Sequence, residues 1–127
     1  MSEPVWISQR AIHAIHDRQI AEHGGLPGVR DEGLLQSALS RPENLYFYGD
    51  PKPDISDMAA AYGFGISKNH PFNDGNKRTA LIAIRLFLKL NGFDLTATGP
   101  EKFTMIVELA SSHIDESDLS SWIRDRI

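Results

Sequence analysis

Twelve residues beginning at His70, HPFNDGNKRTAL, bring together a histidine, an aspartate, a glycine and two adjacent cations, and then run into an apolar helical pattern. A helix N-terminus exposes unpaired N–H groups and the positive end of the macrodipole, so it attracts anions. Gly75 allows a positive φ or a close backbone approach, and successive N–H groups entering a helix form a concave nest for a phosphate. Lys77 adds a point charge and Arg78 a planar fork in the first turn of that helix. Asp74 opposes a bare phosphate among these cations, and the conflict disappears if it holds magnesium, which takes one or two carboxylates and completes its shell with substrate phosphates. The implied ligand is a nucleoside triphosphate with its metal. Histidine accepts a proton near neutral pH, which makes His70 the candidate general base for an incoming hydroxyl. Pro71 stiffens the loop, and Phe72, turned inward, is the anchor that fixes where His70 points, with Asn73 beside it as a second positioning residue.

Taken singly, each residue has an ordinary explanation. His70 fits a hydrogen-bonded loop, Asp74 an N-cap, Gly75 a turn, and Lys77 with Arg78 a solvated first turn. Their order argues otherwise, because a cap needs no histidine upstream and a helix start that suits its dipole avoids two cations.

The elements around the stretch read as helices. Ser8 caps a first helix carrying Ile12, Ile15, Gln19 and Ile20, stopped by Gly24-Gly25. Asp31 caps a second, brief one through Leu34, Leu35, Ala38 and Leu39, which is expected to end before Pro42. Residues 44–53 (NLYFYGDPKP) then read as an extended flap, the best lid candidate, with Tyr46 and Tyr48 available to dock a substrate. Asp54 precedes a third helix with Ile55, Met58, Ala59, Tyr62 and Ile66. The helix from Asn76 to Leu90 is apolar nearly all the way round, which marks it as the buried central helix. Thr98, Pro100 and Glu101 form a capping-box signature for a helix through about Ser111, and Ser117 is expected to cap a last one holding Leu119, Trp122 and Ile123. The fold class is all-α: one domain over 1–127, a bundle of about six helices around a buried central helix.

Composition narrows the function. The chain has 127 residues, no cysteine and a formal net charge of −4. Disulfides and thiolate metal sites are therefore excluded, and nothing draws the chain broadly to nucleic acid. The N-terminus lacks the basic leader and apolar segment of a signal peptide, and the apolar run from Thr79 to Leu90 is too short to span a bilayer. A cytoplasmic protein is expected, with no membrane and no direct nucleic-acid partner. His13, His16, His23 and His113 have no partners at metal-ligand spacing and read as structural or solvated.

At His70, Phe72, Asp74, Gly75, Asn76 and Arg78 the chain resembles the Fic/Doc family, whose Fic branch carries HxFx[D/E]GNGRxxR. Lys77 replaces the second glycine of that motif and Leu81 its second arginine. The first change is a feature of the Doc (death-on-curing) branch, which the stretch from Gly24 to Pro42 also resembles. The resemblance implies about six helices around the motif-bearing one. It implies His70 as base for a serine or threonine hydroxyl, Asp74 on magnesium, and Gly75, Asn76, Lys77 and Arg78 on the phosphates of ATP. Fic enzymes transfer adenylyl groups, whereas Doc toxins resemble them in site but are kinases. Lys77 in the nest, and the loss of a clamp at Leu81, make an internal phosphate fit less well than a terminal one, which points to phosphoryl transfer. The resemblance further implies elongation factor Tu as the target class and an antitoxin whose C-terminal segment lies as a helix in a groove. Two other readings stay open, a Fic-type adenylyltransferase and a non-catalytic nucleotide-binding module.

Overall fold

Ser8 accepts a hydrogen bond from the Ala11 N–H and starts the first of six helices in a computed structural model that describes residues 3–127. They are α1 (Gln9–His23), α2 (Glu32–Tyr48), α3 (Ile55–Asn69), α4 (Asn76–Leu90), α5 (Gly99–Ala110) and α6 (Glu116–Arg124). Among the described residues there is no strand, only an isolated antiparallel bridge between Val29 and Phe72. The all-α bundle expected from sequence is thus observed. No helix among the described residues is long and apolar enough to cross a membrane.

The caps account for most boundaries. Asp31, Asp54 and Thr98 each accept from a backbone N–H three residues on, the last two within reciprocal capping boxes with Asp57 and Glu101. The final helix departs from expectation: Asp115, not Ser117, is its N-cap, because Asp115 and Asp118 close a capping box two residues earlier.

Helix α2 also departs, and more consequentially. It continues through Pro42 to Tyr48, so residues 44–48 are helix, not flap. A proline inside a helix removes one hydrogen bond and crowds the preceding turn at a cost of about 3 kcal/mol. The stripe Leu35, Ala38, Leu39 and Pro42 is buried against the core, and Tyr46 continues it by packing its ring edge-on to Trp6 at 5.8 Å. Burying such side chains is worth about 1.5–3 kcal/mol each, which outweighs the local penalty. No residue from 44–53 lines the cleft at His70, so the lid expected from sequence is not found over it.

The central helix is α3, not the motif-bearing α4. Helix α3 packs on α2, α4, α5 and α6, and its run of Ala59, Ala60 and Ala61 with Gly63 and Gly65 lets neighbours come close. A Cβ at Gly65 would lie 3.0 Å from the Ala38 Cα, and one at Gly63 would lie 2.5 Å from Ile84 Cδ1. Helix α4 buries Ala80, Ala83, Ile84, Phe87 and Leu88 but leaves Lys77, Arg78, Arg85 and Lys89 in solvent. Its apolar pattern overstated its burial because Leu81, Ile82 and Leu86 are only half-buried. Within the core the Tyr62 hydroxyl accepts from the Ile7 N–H at 3.0 Å, and burial pushes its pKa up to about 12. Arg124 bridges α6 to the start of α3 through Asp54 and Asp57.

Candidate active site

The loop 70–75 joins the central helix to α4, so both of its ends are held by packed elements. His70 closes α3: its N–H donates to the Ile66 carbonyl at 3.2 Å, and its backbone adopts φ 52° and ψ 53°. That left-handed conformation is strained for a residue with a Cβ. Arg30 stabilises it from outside, donating through Nε to the His70 carbonyl at 2.7 Å and through Nη2 to the Asn69 carbonyl at 2.9 Å. A cation at a helix C-terminus, with a planar fork on two carbonyls, suits this task.

The segment before α2 clasps the rest of the loop. The N–H groups of Arg30 and Asp31 donate to the Pro71 carbonyl, and the Asn73 N–H donates to the Gly28 carbonyl. The Asn73 amide donates to the Pro27 carbonyl at 2.9 Å. Phe72 is fully buried, and the His16 ring stacks on it at 3.9 Å with 7° between the planes. His16 Nε2 lies 2.8 Å from the Asp74 carbonyl, which can only accept, so that nitrogen carries the proton.

Asn76 acts inside the loop. Its Oδ1 accepts from the Phe72 N–H at 3.0 Å, and its Nδ2 donates to the Phe72 carbonyl at 3.0 Å and faces His70 Nδ1 at 3.2 Å. With its carboxamide so committed and the residue buried, Asn76 can offer a phosphate its main-chain N–H only. The Nδ2 hydrogen directed at Nδ1 places the resting proton of a neutral His70 ring on Nε2.

Asp74 is exposed and keeps acceptor capacity on both oxygens. Oδ1 accepts from the Gly75 N–H at 2.9 Å and Oδ2 from the Leu26 N–H at 3.2 Å. The carboxylate sits in a notch left by Gly25, where a Cβ would lie 2.7 Å from Oδ2. Gly75, at φ 74°, turns the chain into α4, and no side chain caps that helix. The start of α4, with the exposed side chains of Lys77 and Arg78, is therefore open to an anion. Leu81 packs on the core and does not line the cleft.

The structure brings all eight sequence-predicted residues into this loop and the first turn of α4. His70, Asn73, Asp74, Gly75, Asn76, Lys77 and Arg78 line one cleft, while Phe72 lies beneath it. Sequence reasoning did not place His16, Gly25, Arg30 or Phe103 there. The likeness of residues 24–42 to the Doc branch was the available signal for Gly25 and Arg30. His16 has the structural role assigned to it, but within the site.

Fold and loop together define an all-α domain that presents a histidine and a carboxylate at an uncapped, cationic helix start. The Fic/DOC family model matches residues 6–88, and the chain belongs to this family. It is 34% identical over 118 residues to "Protein kinase doc" of Escherichia phage P1, across 93% of this chain and 92% of that protein. It is 45% identical over 74 residues to "Toxin Doc" of Mycolicibacterium smegmatis, across 58% of this chain and 57% of that one. Both relatives carry the Doc name, in agreement with the Doc-branch features read at Lys77 and over residues 24–42.

Proposed function

We propose that this chain is a Doc-type toxin that works as a protein kinase. It moves the γ-phosphate of ATP to a serine or threonine hydroxyl of a translation factor, elongation factor Tu on the family resemblance. The setting is the cytoplasm, and a cognate antitoxin inhibits it through a helix laid in a groove. The carrying observation is one cleft that joins His70, Asp74, the open start of α4, Lys77 and Arg78. The name of the phage relative supports the same reaction class.

The residues present suit a magnesium ion. Asp74 is exposed and accepts a single hydrogen bond on each carboxylate oxygen, which leaves acceptor capacity for a cation. Asp74 would hold such an ion through its one carboxylate, the remaining ligands coming from phosphate and water as magnesium prefers. When bound, it neutralises charge on the phosphate oxygens.

The chain's own part is positioning and charge stabilisation, which phosphoryl transfer chiefly requires. The N–H groups at the start of α4 and the Lys77 and Arg78 side chains hold the triphosphate. The hydroxyl oxygen forms its bond to the γ-phosphorus as the bond to the β–γ bridging oxygen breaks, ADP departs, and His70 takes the hydroxyl proton. Because Asn76 faces Nδ1 at rest, the exposed ring must leave that contact before it can accept a proton. Leu81, folded onto the core, leaves no second arginine at the far end of the nucleotide.

The test is the intact mass of elongation factor Tu after incubation with this protein, ATP and magnesium, beside a His70→Ala control. A phosphate-sized increase lost in the control supports the kinase. An adenylate-sized increase assigns the chain to nucleotidyl transfer, and no increase on any protein of a whole lysate leaves a binding module.

A further inference from the structure

Phe103, on α5, is the one apolar side chain among the described residues that line the cleft. It is 45% exposed and takes no part in the core, which α5 meets through Ile106 and Leu109. Nor does it serve the start of α5, which Thr98 and Glu101 close by themselves. The other strongly exposed aromatics, Phe47, Tyr48 and Phe93, lie away from the cleft. Folding therefore leaves this ring unexplained, and its position is on the wall of the cleft.

The size and polarity of the cleft say which part of the ligand reaches it. The cleft encloses about 220 Å³, below the ~300–1,000 Å³ typical of sites that engulf a small molecule. Its other lining residues are charged, polar or glycine, suited to phosphates and a cation. A nucleoside must then lie at the open rim, where it needs a flat apolar partner, and base–aromatic stacking is the general means. We propose that Phe103 is the base-stacking residue of the nucleotide site. The inference rests on the nucleotide reading above and adds to it the place of the base.

The experiment measures equilibrium binding of ATP and of inorganic tripolyphosphate, each with magnesium, to the wild-type chain and to Phe103→Ala and Phe103→Trp. Stacking on one ring predicts a loss of about 5- to 150-fold for ATP in Phe103→Ala. Recovery is expected in Phe103→Trp, with tripolyphosphate affinity unchanged in both. Wild-type ATP affinity in Phe103→Ala would overturn the proposal, as would equal losses for the two ligands. Retained ATP affinity with a raised KM for the protein target would make the ring a docking contact and also overturn it. Wild-type chain that binds tripolyphosphate but gains nothing from the nucleoside refutes this inference alone; wild-type chain that binds neither refutes the nucleotide reading and this one with it.

Discussion

His70 sits where glycine would be most at ease, and replacing it should separate stability from function. At φ 52° and ψ 53°, just past the last turn of α3, its Cβ crowds the following carbonyl at a cost of about 1–2 kcal/mol. His70→Ala keeps that Cβ, and His70→Gly removes it. Both variants lose the imidazole and its contact with Asn76, so the comparison between them cancels the ring. Glycine also gives the unfolded chain more freedom, which offsets about 0.4–1 kcal/mol. The balance leaves His70→Gly more stable than His70→Ala by about 0.5–1 kcal/mol, a difference of roughly 2–5 °C in Tm for a chain of this size. Thermal unfolding followed by helical circular dichroism reads the difference directly, and a transfer assay on the same samples should find both variants inactive. If His70→Gly melts no higher than His70→Ala, the left-handed strain is absent and the reasoning fails.

Other perturbations follow from the same geometry. Arg30→Ala removes the fork from the Asn69 and His70 carbonyls. The expected loss is about 1 kcal/mol of stability, small because the pair is exposed, with a fall of about 100-fold in transfer rate as His70 loses its aim; Arg30→Lys should recover little of the rate, and full recovery would show that charge alone suffices. Gly25→Ala pushes a methyl against the Asp74 carboxylate, so a magnesium titration of the transfer rate should shift its midpoint upward by about 10- to 100-fold while the fold persists. The Arg124 guanidinium holds the Asp54 carboxyl below the usual carboxylate range, against an opposing effect of partial burial. A depressed folded pKa contributes stability that is present above the unfolded value and lost as pH falls through the folded one, so the stability gap between wild-type and Arg124→Gln should narrow from about pH 5 to pH 2 in urea titrations. The pair is half exposed, so that gap stays below about 1 kcal/mol, and a gap independent of pH would exclude Asp54 as its source.

Local chemistry determined much of this protein. Ser8, Asp31, Asp54 and Thr98 start helices because their side-chain oxygens satisfy N–H groups nearby in sequence. The chemistry-bearing loop was legible for the same reason: His70, Asp74, Gly75, Lys77 and Arg78 lie within one turn and one helix start, where spacing in the chain is close to spacing in space. What tertiary structure decided involves surfaces distant in sequence. Pro42 stays helical because the stripe around it is buried on the core, so 44–48 became helix and no lid formed there. Helix α3 took the centre because its small residues admit neighbours closely, a property that apolar count does not measure. Gly25, Arg30, His16 and Phe103 reached the site from other elements. Asn76 turned its carboxamide to Phe72 because the loop's buried backbone groups needed partners. Residue types and order were enough to name the chemistry of the loop, but only packing could show what holds the loop in shape and which side chain waits at its rim.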